Sequence, residues 1–187
     1  MSLVKKVFLL LVSIIFIRCG NDNEFLIKKG NVGNINKKTT VQELNSIFKN
    51  DSIAISGIEN LDDKELNLNS TNELIVYSKA GKKMLEIVPD NQSDSISKIK
   101  SVQIFDSNYK TDRGISLKST FKEINENYMV NKVETTLTSA TLFIDELNAT
   151  ISIDKKELGL NSFSREQVSI DQIPDIARIK YFTIWFN

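Results

Sequence analysis

Apolar residues in this chain recur at two different periods. In TTVQELNSIF, Val41, Leu44 and Phe48 fall at i, i+3 and i+7, one face of a helix. Thr40 and Glu43 stand at capping-box spacing before it, and Thr39 is a second candidate cap. STFKEINENY repeats the pattern, with Thr120 and Glu123 as the box and Phe121, Ile124 and Tyr128 as the face. After each helix the period falls to two. Alternation predicts strands near Ser52–Ser56, Glu73–Ser78, Lys83–Val88 and Ile99–Phe105, with a turn at Ala80-Gly81-Lys82. It predicts a second set near Lys132–Thr138, Ala140–Asp145, Ala149–Asp154 and Arg178–Phe186, with a hairpin turn at Glu146-Leu147-Asn148. The polar stretches Glu59–Asn72, Asp90–Asp94 and Lys155–Gln172 read as loops.

The two sets are related by a shift of 80. TTVQELNSIF aligns with STFKEINENY, and ISKIKSVQIF (Ile96 to Phe105) aligns with IARIKYFTIW (Ile176 to Trp185). Two independent matches at one spacing point to duplication. The expected fold class is therefore α+β: two tandem repeats, each a helix followed by a three- to four-stranded antiparallel sheet. The expected segments are 1–18 as signal, 19–30 as tether, 31–106 as the first repeat and 107–187 as the second. A helix covering one face of a sheet is a two-layer arrangement that leaves the other face for a partner.

The final strand shows which side chains that face would carry. Phe182, Ile184 and Phe186 share one side, and Tyr181, Thr183 and Trp185 the other. With the first set facing the helix, Tyr181, Thr183 and Trp185 become candidate partner-binding residues, because exposed Tyr and Trp are common contact anchors. The corresponding first-half face reads Ser101, Gln103, Phe105.

The N-terminus has a different pattern. Lys5 and Lys6 precede an eleven-residue apolar run, VFLLLVSIIFI, followed by Arg18, Cys19 and the polar stretch GNDNE. Charge, a short apolar run and a break to polar sequence make a secretory signal, and the run is short for a span of about 30 Å of hydrocarbon. Its place directly before the only cysteine resembles a bacterial lipoprotein signal, although Arg18 stands where such signals usually carry a small residue. The resemblance implies cleavage before Cys19 and a diacyl or triacyl group on it, enough for stable anchoring. Gly20 would follow the modified residue; the sorting rule that retains Asp there at the inner membrane then implies an outer-membrane address, periplasmic or surface-exposed.

Composition narrows the chemistry. Charges balance at 24 against 24, and loss of Lys5, Lys6 and Arg18 with the signal leaves 21 positive against 24 negative. Such a chain has no electrostatic case for nucleic acid. There is no histidine, and Cys19 is the single cysteine. The commonest general base, the commonest metal ligand and thiol chemistry are all missing from the mature chain. No P-loop, GxSxG or GxGxxG occurs. SxxK pairs occur at Ser95/Lys98, Ser119/Lys122 and Ser152/Lys155, as expected of a Ser- and Lys-rich sequence. Asp90, Asn91 and Asp94 lack the spacing of a calcium loop, and Asp62, Asp63 and Glu65 read as a solvated turn. No catalytic residue, metal ligand or cofactor is expected.

Asp51-Ser52-Ile53 and Asp94-Ser95-Ile96 resemble the O-glycan acceptor of Bacteroidetes-type exported proteins, which makes Ser52 and Ser95 glycosylation candidates. The stretches GNVGNINKKTTVQEL, KTDRGISLKSTFKEI and IPDIARI are similar to uncharacterised small lipoproteins of such bacteria. The order of elements resembles the β-lactamase-inhibitor-protein fold and the small lipoprotein subunit of the outer-membrane barrel assembly machine. These resemblances imply a non-enzymatic envelope lipoprotein, tethered to the membrane by its lipid, that binds an unidentified envelope protein through an open sheet face. It would be an inhibitor or immunity-type protein, or an accessory subunit. The alternatives are an envelope enzyme using carboxylates on glycans and a lipoprotein that binds a small ligand.

Overall fold

The computed structural model describes residues 23–56, 73–91 and 95–186. The signal, Cys19, the stretch Glu59–Asn72 and Asp94 lie outside them. Each strand read from alternation is present, with ends within about three residues of the expected ones. They are β4 (Ser52–Ile55), β5 (Leu74–Tyr77), β6 (Lys83–Pro89), β7 (Ile99–Ile104), β9 (Lys132–Thr135), β10 (Ser139–Ile144), β11 (Ala149–Asp154) and β12 (Ile179–Trp185). They form one antiparallel sheet in the order β4-β5-β6-β7-β12-β11-β10-β9. A second sheet, in the order β3-β2-β1-β8, joins β1 (Leu26–Lys28), β2 (Asn31–Val32), β3 (Ile35–Asn36) and β8 (Lys110–Thr111).

The helices α1 (Val41–Ile47) and α2 (Phe121–Asn127) have seven residues each. Helices this short do not persist alone in water. Capping and burial hold them. The Glu43 carboxylate accepts the Thr40 backbone N–H at 2.8 Å, and Glu123 accepts that of Thr120 at 2.7 Å. Leu44, Phe121 and Ile124 are buried in the core. Each helix start is also stitched to the segment before a central strand. Val41 N–H donates to the Ser97 carbonyl (3.0 Å) and Gln42 to Ser95 (2.9 Å). Phe121 donates to Ala177 (2.8 Å) and Lys122 to Asp175 (3.0 Å), the same contacts 80 residues on.

The expected α+β class, with two tandem helix-then-sheet repeats, is overturned. The molecule is mostly β, with two short helices against twelve strands among the described residues. Nor, among the described residues, do β4–β7 and β9–β12 form two separate sheets. β7 pairs with β12, placing Val102 opposite Ile184 and Ile104 opposite Phe182, and this fuses the strands into one eight-stranded sheet. The physical reason is edge closure. Two apolar strands with open hydrogen-bonding edges are satisfied by pairing with each other. A single buried cluster then runs through both halves and includes Ile27, Val32 and Ile35 of the small sheet.

The stretch Lys155–Gln172, read as a loop, contains two 3₁₀ turns (Lys155–Leu158 and Ile170–Gln172). Lys155 is fully buried there. Its ammonium donates to the carbonyls of Ser164 and, at 3.3 Å, Glu166, which ties the following segment to the end of β11. A buried cation needs such acceptors.

Candidate interaction surface

The pleat of the eight-stranded sheet divides its side chains between two faces. Val76, Leu85, Ile104, Phe182, Ile151 and Leu142 lie side by side across six adjacent strands, and all are at most 1% exposed. This face meets the helices and the small sheet. The neighbouring outward row runs Ile75, Glu86, Gln103, Thr183, Thr150 and Phe143, and every member is half-buried. No member of this row reaches full burial, although Ser101, opposite Trp185 on the same face, is 4% exposed.

Tyr181, Thr183 and Trp185 belong to this outward face. Tyr181 is 42% exposed, whereas Phe182 and Ile184 beside it are 0% exposed. Thr183 and Trp185 are half-buried. Trp185 is held in place: its indole N–H donates to Thr150 Oγ1 at 3.1 Å. Its backbone is clamped by Asn148, whose carbonyl accepts the Trp185 N–H (2.8 Å) and whose amide donates to the Trp185 carbonyl (2.9 Å). Asn148 adopts φ 51° in the β10–β11 turn, a left-handed conformation that Asn tolerates better than most residues. A shallow hollow of about 390 Å³ opens beside the indole, lined by Thr141, Phe143, Thr150 and Trp185 among others.

Three lysines lie against aromatic rings of the outer rows. The Lys83 ammonium sits 3.8 Å from the centre of Phe105, Lys132 5.5 Å from Phe143, and Lys180 5.3 Å from Tyr181. Each is also paired with a carboxylate: Lys83 with Glu86 at 2.6 Å, Lys132 with Glu134, and Lys180 with Asp154 at 2.8 Å. The Lys180 hydrogen bond, followed by the Lys156 backbone N–H, holds the Asp154 carboxyl below its ordinary range; the same bond raises Lys180. Phe143 was not singled out from the sequence. The signal was present, because Ala140, Leu142 and Ile144 are buried and alternation forces Phe143 outward.

The other candidates fall apart from this surface. Ser52 is exposed on the edge strand β4, and Ser95 is exposed in the turn whose carbonyl receives Gln42. Among the described residues the SxxK side chains form no nucleophile–base pair. Ser119 Oγ accepts the Ser116 N–H at 3.3 Å, Ser152 bonds Thr141 across the sheet at 3.0 Å, and Lys155 faces carbonyls. Among the described residues no group of three His, Cys, Asp or Glu side chains is placed to hold a metal ion. No helix among them is long and apolar enough to cross a membrane.

The fold and surface thus define a mostly-β protein whose eight-stranded sheet has one face sealed and, among the described residues, the other mostly half-buried to exposed. The uncharacterized protein yfeY from Escherichia coli, known from its crystal structure, shares this fold. It matches with a TM-score of 0.53 at 12% identity, over 86% of this chain and 99% of that one. The likeness concerns the fold alone. No family model and no curated protein matches the chain.

Proposed function

We propose that this chain is a non-enzymatic, lipid-anchored protein of the cell envelope that binds a protein partner through the open face of its eight-stranded sheet. The observation that carries the reading is on β12. Tyr181 is 42% exposed beside half-buried Thr183 and Trp185, while the alternate residues are sealed in the core. The indole is held by Thr150, and the Trp185 backbone by Asn148, before any partner arrives, so little side-chain freedom is lost on binding. The charged-apolar-cysteine order of the N-terminus supports anchoring at Cys19 and an outer-membrane address.

The test is affinity capture of the full-length lipoprotein from membranes, with identification of what co-purifies. Trp185→Ala is expected to weaken a captured partner about 30-fold or more, the scale of a 2 kcal/mol anchor. An inhibitor would retain one soluble enzyme, and an accessory subunit a membrane complex. Undiminished capture by Trp185→Ala and Tyr181→Ala overturns the assignment of this face.

A further inference from the structure

A second hollow lies on the covered side of the sheet, where the small sheet, the end of α1 and the β5–β6 turn meet. It encloses about 480 Å³, within the size range of small-molecule sites. Phe25, Ile47, Phe48 and Met84 supply apolar walls. Tyr109 forms another wall, with the ring of Phe25 edge-on at 5.0 Å. Tyr109 is only 2% exposed, and its hydroxyl, which bonds no described residue, is not sealed from solvent: no buried side-chain nitrogen or oxygen among the described residues lacks a partner.

Three carboxylates line the same hollow: Glu24, Asp51 and Asp106. Asp106 is already engaged, accepting from Lys82 at 2.8 Å and from the Asn108 N–H at 3.0 Å. Glu24 and Asp51 form no ion pair with any described residue. Of the three carboxylates Glu24 is exposed and Asp51 half-buried; against them stand Lys79 and the engaged Lys82, both exposed, so the lining carries one net negative charge.

We propose that this hollow binds a small organic cation, an amine or guanidinium carried on an apolar body. Glu24 and Asp51 would face its charge, the Tyr109 oxygen would accept from its N–H, and Phe25, Phe48 and Met84 would cover the body. Burial, and then the negative fields of Glu24, Asp106 and Asp51, push the Tyr109 hydroxyl well above its ordinary range. The group is thus a neutral phenol near pH 7, and the same fields that disfavour a phenolate favour a bound cation. The site is independent of the sheet-face reading, because it lies among the elements that cover the opposite face.

The test is calorimetric titration of the full-length protein in detergent with two probes of one shape, phenethylammonium and 3-phenylpropionate. A ligand of this size is expected to bind with Kd about 1 mM, and the carboxylate at least tenfold more weakly. Tyr109→Phe keeps the ring and removes the hydroxyl; Glu24→Gln with Asp51→Asn removes the charge. Each is expected to weaken the amine about fivefold or more with the melting temperature held within a few degrees. Absence of saturable amine binding to the folded wild type at about 20 mM overturns the proposal, as does equal or tighter binding of the carboxylate. So does amine affinity unchanged in both folded variants. The probe comparison uses wild type alone, so it decides the matter even where a variant fails to fold.

Discussion

Truncating Phe182 to alanine tests which side of the final strand holds the molecule together. Its ring is 0% exposed and lies between Ile104 on β7 and Ile151 on β11, at the junction where the sheet is fused. A Phe buries about 200 Å², and at about 25 cal/mol per Å² the lost transfer energy is about 5 kcal/mol. Measured truncations of buried Phe cost about 3–5 kcal/mol. In a chain of this size each kcal/mol lowers the melting temperature by about 2–4 °C, so Phe182→Ala is expected to lose about 12 °C. Trp185 is half-buried, and its one side-chain hydrogen bond is to a half-buried Thr150. Trp185→Ala leaves Thr150 beside solvent rather than in a cavity, and is expected to cost roughly 2 kcal/mol, about half the Phe182 effect. The assay is thermal unfolding of both full-length variants, followed by circular dichroism. A larger loss for Trp185→Ala would mean that the faces have been assigned backwards. Equal large losses would mean that the strand is buried on both sides, and the interaction surface would have to be sought elsewhere.

Two further outcomes are expected. Cys19→Ala is expected to release the chain from the membrane fraction or leave it unprocessed, as read by fractionation and by mass at the mature N-terminus; unchanged processing and membrane retention would remove the lipid anchor from the proposal. Acid unfolding is expected to depend on Asp106: burial pushes its carboxyl up, but the Lys82 hydrogen bond, the Asn108 N–H and the charges of Lys82 and Lys118 together hold it below its ordinary range. A depressed carboxylate stabilises the fold above its unfolded value of about 3.9, and that contribution is lost as pH falls through the folded value. Melting temperature measured from pH 6 to pH 2 is therefore expected to fall less steeply in Asp106→Asn, and an identical slope would argue against the Lys82–Asp106 pair as a source of stability.

What the sequence displayed clearly was face, not neighbour. Leu85 and Ile87 alternate with Glu86, and Phe182 and Ile184 with Thr183, so strands and their inward sides follow from a period of two. That period does not say which strand lies next to which. The pairing of β7 with β12, which decides the fold class, was therefore not legible. The capping boxes at Thr40 and Thr120 marked real helix starts but carried no information on length, and both helices stop after two turns. The small sheet was missed because β2, β3 and β8 have two residues each, too few to display any period. Positive φ at Gly30 (65°) and Gly33 (56°) forms the turns around β2, a signal left unread in the run GNVGN. At Gly33 a side chain would also meet the Glu24 carbonyl, 2.3 Å from an added Cβ. Lys155 ran against its residue type, since the carbonyls that make its burial tolerable come from residues nine and eleven positions on.

The aromatic face and the amine hollow belong to different sides of the sheet, and the N-terminus relates them. Glu24 and Phe25, which line the hollow, lead directly into β1 of the small sheet. Five peptide steps separate Cys19 from Glu24, a reach of at most about 18 Å. Lipidation at Cys19 would thus hold the mouth of the hollow close to the bilayer. The open face, built from strands whose far side meets the helices and the small sheet, would stay available to a protein partner. The two sites share no residue, so substitutions in them are expected to act independently. Trp185→Ala is expected to leave phenethylammonium affinity unchanged, and Glu24→Gln with Asp51→Asn to leave partner capture unchanged. A shift of either measurement by the other site's variant, with melting temperature preserved, would show that the sheet couples them and that the two surfaces act as one site.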